Sequence, residues 1–249
     1  MKKLFEKDEV TFAIVLIVVY VVGSSLMAMI SEKIGIRYSA ETVFAILMSA
    51  ALFLFIKKNG LMKHLGLCRP EVSTARMWFY LPPILIAARA ILFGVGAEYP
   101  PADLAAHTVC MLFVGFVEEV LFRGFLFRGI AKSSETAAII VSAVTFGVGH
   151  IVNLFNGYEL FDSITQITYA VGCGFMLVFL FIRTGSLLPC IAFHSLNNML
   201  TGFATAEGLV KLVGSERSAE LVLLAAGFAL MAVYTVYVIK CIPKRELSD

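Results

Sequence analysis

The chain has 249 residues, of which 59% are hydrophobic and 15% charged, and its mean hydropathy is +0.89. A water-soluble domain lies nearer about 45–50% apolar and roughly 25% charged, so a soluble fold is excluded and a polytopic membrane protein is expected. The formal net charge is only +2, and no block of consecutive like charges forms a basic or acidic tail, which excludes nucleic acid as a partner.

From the N-terminus, Lys2, Lys3 and Lys7 precede an apolar stretch over residues 10–30. It is longer than a signal-peptide core and lacks a small-x-small cleavage site, so it reads as a first membrane span. Hydropathy marks further spans over residues 38–56, 77–93, 104–126, 136–152, 163–182, 187–203 and 221–239. That makes about eight, each able or nearly able to cross about 30 Å of hydrocarbon. Long apolar runs exclude the alternating pattern of a barrel. The expected fold class is therefore an all-α polytopic transmembrane helical bundle, a single integral-membrane domain over residues 1–249 with no internal repeat.

Between the second and third spans, residues 57–76 contain Asn59-Gly60, Pro70 and Ser73-Thr74. These read as a cytoplasmic linker with one short interfacial helix around residues 61–67. The Lys and Arg residues orient the rest, since they collect on the cytoplasmic side of short loops. With the N-terminus inside, the inner segments hold Lys2, Lys3, Lys7, Lys57, Lys58, Lys63, Arg69, Arg76, Arg123, Arg128, Lys132, Arg183, Lys240, Lys244 and Arg245, against Lys33, Arg37, Lys211 and Arg217 outside. Both termini are accordingly expected in the cytoplasm.

The fourth span carries Glu118, Glu119 and Arg123 in an otherwise apolar helix. Each ionisable group at a helix centre costs about 2.5–3.5 kcal/mol on insertion scales, and such groups face a bundle interior or a wet cavity. Glu119 and Arg123 are four apart with the acid first, the favourable order for a helical ion pair. Successive helical residues point about 100° apart, which leaves Glu118 to face a cavity. His150 follows in the fifth span, and His194 and Asn198, four apart on one face, in the seventh. At about 1.5 Å per residue, Glu118 and His150 lie about 21 Å and His194 about 13 Å from the inner edge. Three spans thus bring these groups to comparable depth.

Such a set matches the needs of peptide hydrolysis. Glu118 takes a proton from water, His150 holds that water and protonates the leaving amine, and His194 with Asn198 donates to the oxyanion. No cofactor is required in that wiring. The same atoms also allow zinc, with Glu118, His150 and His194 as three ligands and an open fourth position. The five cysteines, at 68, 110, 173, 190 and 241, are scattered and free of C-x-x-C spacing, so they signal packing rather than metal binding or disulfides.

Other residues carry blander expectations. Asn153 and Asn197 read as interhelical hydrogen-bonding groups, and Gly115, Gly124, Gly147, Gly149, Gly172 and Gly174 as sites of close helix approach. Gly147 and Gly149 also loosen the helix before His150. The phenylalanines at 113, 116, 122, 125 and 127 read as packing or lipid-facing, Arg89 as snorkelling or ion-paired, and His64 and His107 as solvated at span ends.

E-E-x-x-x-R, F-x-x-x-H and H-x-x-x-N, in that order on successive helices, resemble the signature of the CAAX protease and bacteriocin-processing family of intramembrane endopeptidases, also called the Abi family. The likeness covers roughly residues 104–203, the expected catalytic core. It implies a membrane bundle with a cytosol-facing cavity and glutamate-dependent proteolysis, often described as metalloproteolysis. Glu118 and His150 would activate water, and His194 and Asn198 would form the oxyanion hole. Implied partners are the lipid bilayer and a peptide or membrane-protein substrate, and the implied location is a bacterial cell membrane. A non-proteolytic immunity or scaffold protein of the same fold, and a proton-coupled transporter, are the competing readings.

Overall fold

The computed structural model of the chain describes residues 1–70, 72, 80–88, 91–96 and 99–243. Among them no sheet forms, only an isolated bridge between Val95 and Ala204. The chain is all-helical, in the order α1 (Lys2–Lys7), α2 (Glu9–Ile34), α3 (Ser39–Lys58), α4 (Leu81–Ala88), α5 (Pro101–Glu119), a π-helical segment (Val120–Phe127), α6 (Arg128–Ala131), α7 (Glu135–Val148), a 3-10 turn (Gly149–Ile151), α8 (Val152–Phe155), α9 (Leu160–Thr184), α10 (Leu188–Thr201), α11 (Glu207–Val213) and α12 (Glu216–Cys241). Arg89 lies outside the described residues.

Among the described residues, five helical stretches are long and apolar enough to cross a membrane: Glu9–Ile34, Ser39–Lys58, Glu135–Phe155, Leu160–Thr184 and Glu216–Cys241. The chain is an integral membrane protein. Of the eight expected spans, the other three fall short of that standard for identifiable reasons. Residues 104–126 are interrupted by Glu118, Glu119 and Arg123; α10 has only 14 residues; and α4 is short within a partly described stretch.

Local sequence explains where the long helices start. Asp8 caps α2, its carboxylate accepting from the Val10 and Thr11 amides at 2.9 and 3.0 Å and from the Thr11 hydroxyl at 2.6 Å. These bonds, the hydroxyl first, hold the exposed Asp8 carboxyl below the usual carboxylate range. The helix ends at Gly35, which takes the left-handed conformation (φ 81°) that a Cβ would disfavour. Ser134 and Ser215 cap α7 and α12 in the same way as Asp8 caps α2.

Burial is uneven. All eight residues of the π-helical segment are buried, and it is packed by α2, α5 and α7. The outer helices α2, α3 and α12 instead expose apolar side chains such as Val18, Leu47 and Val233, as a lipid-facing surface requires. Phe122, Phe125 and Phe127 are core residues rather than lipid contacts.

Two sequence expectations are corrected. Residues 61–67 form turns rather than an interfacial helix, because Gly60 and Gly66 sit at φ 71° and 74° and helical geometry cannot pass through them. Leu65 instead plugs the bundle beneath Gly124, and the Gly66 carbonyl accepts from the Leu187 amide at 2.7 Å. His107 is not solvated: it is 2% exposed, its ring 5.0 Å from Tyr38 and 5.5 Å from Tyr99. His64 is also partly buried, 3.9 Å from Glu9.

Candidate active site

Close approach of α5 and α10 begins the site. A Cβ on Gly115 would lie 2.8 Å from the Ser195 amide nitrogen, a separation no side chain tolerates. One turn beyond Gly115 is Glu119, and beside Ser195 is His194. The glycine therefore sets these two at contact: His194 Nδ1 lies 2.8 Å from Glu119 Oε1. An ionised carboxylate only accepts, so Nδ1 carries the proton and Nε2 is left to face the other way.

Glu119 Oε1 also accepts from Arg123 Nη1 at 2.9 Å, both side chains being fully buried. The i, i+4 spacing read from the sequence is thus occupied by the pair itself. Arg123 is held further by the Gly174 carbonyl, 3.4 Å from Nη2, and by the Phe146 ring, whose centroid lies 4.2 Å from the guanidinium carbon. Gly174 reaches it because α7 and α9 touch there: a Cβ on Gly174 would lie 2.6 Å from the Ala143 carbonyl oxygen. Glu119, Arg123 and His194 form a closed polar seam in which one carboxylate offsets one guanidinium.

Glu118 points elsewhere. It lines a cleft of about 750 Å³ together with His150, Asn198, Phe122, Phe146 and residues of α2 and α3. Its Oε1 accepts from the Tyr20 hydroxyl at 2.7 Å, and its Oε2 lies 3.6 Å from His194 Nε2. His194 therefore bridges the two carboxylates, one nitrogen to each. No basic side chain among the described residues makes an ion pair with Glu118 other than this imidazole. Tyr20 is the site residue that sequence reasoning missed. A tyrosine in an apolar span 98 positions away carries no motif, and only the packing of α2 on the π-helical segment brings it in.

The remaining candidates are placed as follows. His150 sits in the 3-10 turn that begins at Gly149, where the helix tightens after Gly147. Its Nδ1 lies 3.2 Å from the Phe146 carbonyl, so that nitrogen donates and Nε2 is available to the cleft. Phe146 packs edge-on against both imidazoles, 5.7 Å from His150 and 5.4 Å from His194. Asn198 lines the cleft and accepts from Asn197 Nδ2 at 3.2 Å. Asn197 accepts from the Tyr169 hydroxyl at 2.9 Å, and Asn153 donates to Gln166 at 2.7 Å, both interhelical contacts of the expected kind. Among the described residues, no three His, Cys, Asp or Glu side chains converge as a metal-ligand set. With its Nδ1 bonded to Glu119 and its Nε2 turned toward Glu118, His194 keeps one ring nitrogen for water, substrate or a metal, as a carboxylate-oriented imidazole does.

Fold and site together define an integral membrane protein with a carboxylate–imidazole cluster at the floor of a cleft. Residues 100–200 match the family described as type II CAAX prenyl endopeptidase, Rce1-like. That match bears out the resemblance carried by the three motifs, and it spans α5 through most of α10. Comparison with curated proteins and with solved structures yields no match.

Proposed function

We propose that this protein is an intramembrane endopeptidase that hydrolyses a peptide bond of a membrane-associated peptide or protein tail, using water activated by Glu118. The observation that carries this reading is the placement of Glu118. It is a cleft-facing carboxylate with no guanidinium or ammonium partner among the described residues, oriented by Tyr20 and adjacent to an imidazole whose tautomer is set by a second carboxylate. The Rce1-like match over residues 100–200 supports the same reaction class.

In this mechanism Glu118 removes a proton from water as the water attacks the scissile carbonyl, a role that requires an available carboxylate within hydrogen-bond reach. His150 Nε2 accepts a hydrogen bond from that water, then takes the proton from Glu118 and gives it to the nitrogen of the leaving amine. Asn198 donates to the oxygen that becomes negative, and His194 does so in its imidazolium form, charged before the water attacks and unchanged afterwards. Glu119 positions His194 and neutralises Arg123. The one proton taken from water leaves with the amine product and the hydroxyl with the acyl product, so the site returns to its starting state.

The eight-span arrangement and cytoplasmic termini complete the proposal, supported by the Lys and Arg asymmetry. The test is cleavage of a membrane peptide library by purified protein in vesicles, with Glu118→Ala and His194→Ala compared. Loss of cleavage in both is expected, while undiminished cleavage in either overturns the mechanism. Glu118→Gln keeps the shape and removes the base, and a substrate retained by it is identified by mass spectrometry.

A further inference from the structure

Behind Asn198 stands a line of hydrogen bonds that the water-activating groups do not share. Asn197 and Asn198 are neighbours in α10, so their side chains leave the helix about 100° apart. Asn198 lines the cleft, and Asn197 turns to α9, where the Tyr169 hydroxyl donates to its Oδ1 at 2.9 Å. Asn197 Nδ2 donates in turn to Asn198 Oδ1 at 3.2 Å. Donors therefore run in one sense, from Tyr169 through Asn197 to the carbonyl end of Asn198. With that oxygen occupied, Asn198 Nδ2 is the end of the amide left for a ligand in the cleft.

The sense of this relay matters because a primary amide has a donor end and an acceptor end of nearly equal shape. Its N–H end stabilises a developing oxyanion, and its carbonyl end repels one. The same side chains could be strung the other way, with Asn198 Nδ2 donating to Asn197 Oδ1 and Asn197 Nδ2 to the Tyr169 oxygen. That order would spend the Asn198 donor inside the protein and turn its carbonyl to the cleft. The phenol selects against it. Its O–H is a good donor, but its oxygen is a poorer acceptor than an amide carbonyl, because a lone pair is delocalised into the ring. Tyr169 itself sits on a fixed frame. One turn earlier on α9, Gln166 accepts from Asn153 at 2.7 Å. Further along, Cys190 Sγ of α10 donates to the Leu177 carbonyl at 3.5 Å, both residues being buried.

We propose that Tyr169 and Asn197 are positioning residues that fix the flip of Asn198, so that its amide nitrogen faces the scissile carbonyl before substrate arrives. The inference rests on the proteolytic reading for the oxyanion, and on the hydrogen-bond chain from Tyr169 to Asn198 for the orientation. A donor held in place beforehand stabilises charge without reorganising at the moment of reaction. His194, one turn before Asn198 on the same face, has its ring oriented by Glu119. Asn198 is oriented by a neutral relay instead. The two oxyanion donors thus have separate supports, one on α5 and one on α9.

Kinetics and amide exchange test it. Asn197→Asp keeps the shape and the acceptor for Tyr169 but can no longer donate, so Asn198 Nδ2 turns inward to bond it. Turnover of a membrane-peptide reporter should fall by about 10²–10³-fold, the usual share of an oxyanion donor, with KM unchanged. Tyr169→Phe removes the bias and leaves both senses populated, so turnover should fall only about twofold, in proportion to the competent fraction. In an Asn198→Ala background neither substitution should lower kcat further. Additional losses there, from the new charge or from disturbed packing, overturn the proposal. The second readout needs no substrate. In protein carrying isotope-labelled asparagine, the side-chain amide resonance lost in Asn198→Ala identifies Asn198. Its protons should exchange freely with cleft water, and roughly tenfold more slowly in Asn197→Asp, where they bond a carboxylate. Unchanged exchange overturns the relay. If Asn198→Ala alone leaves kcat intact, the oxyanion assignment fails, while the exchange result still decides the orientation.

Discussion

Glu118 and Glu119 are neighbours in the chain, yet they belong to two different regions. The seam of Glu119, Arg123 and His194 is closed, with the first two side chains fully buried and hydrogen-bonded. The cleft around Glu118, His150 and Asn198 is open, and among the described residues no lysine or arginine pairs with its carboxylate. Successive residues on a helix face different ways, so one adjacent pair supplies both a brace and a reactive group. The difference teaches that ionisable groups in an apolar bundle serve either of two ends. Where charges meet and close, they set the packing of three helices; where one is left facing a space, chemistry becomes possible.

The contrast can be broken from either side. The largest effect is expected in the cleft: Glu118→Gln should lower turnover by about 10²–10⁴-fold, the usual share of a general base, with little change in thermal unfolding in detergent. A large loss of stability would mean that Glu118 belongs to the seam. Arg123→Met should do the reverse, leaving Glu119 charged and buried at a cost of about 3–5 kcal/mol, read as a lowered unfolding midpoint and poor yield. Gly115→Leu should force α5 and α10 apart and destabilise by about 1–3 kcal/mol or more. Its effect on turnover should exceed that on stability, because it separates His194 from both glutamates. Tyr20→Phe should reduce turnover by roughly tenfold, through loss of a hydrogen bond to a charged group worth about 1.5–3 kcal/mol, and leave the seam intact.

The smallest effect should arise outside both regions, at Asp8. Its folded-state titration point is depressed, so its capping contribution is present above the unfolded carboxylate range and is lost as pH falls through the folded value. Asp8→Asn should flatten that acid-side dependence of stability and leave turnover unchanged. A change in turnover would show that the start of α2 is coupled to Tyr20 and the cleft.

Much was legible before any coordinates. Composition and hydropathy alone require a helical membrane protein, because a chain this apolar must satisfy its backbone hydrogen bonds within its own segments. The i, i+4 spacing of Glu119 and Arg123 specifies their pairing, since a helix brings such residues together whatever surrounds it. The order of the three motifs marked roughly residues 104–203 as the region of interest, which overlaps the Rce1-like match over residues 100–200. These are properties of local geometry or of one-dimensional pattern.

What lay beyond the sequence depends on contacts between distant segments. The π-helical turn after Glu119 has no compositional signal, since Val120–Phe127 reads as ordinary apolar helix. Tyr20 reaches Glu118 only through the packing of α2. His194 lies between two carboxylates because Gly115 lets α5 approach Ser195, and His107 is buried because Tyr38 and Tyr99 close over it. Periodicity determines which face a side chain takes on its own helix and how deep it lies, but whether that face meets a neighbour or an opening depends on which helices touch. That is decided by packing, through the few glycines that let backbones come together.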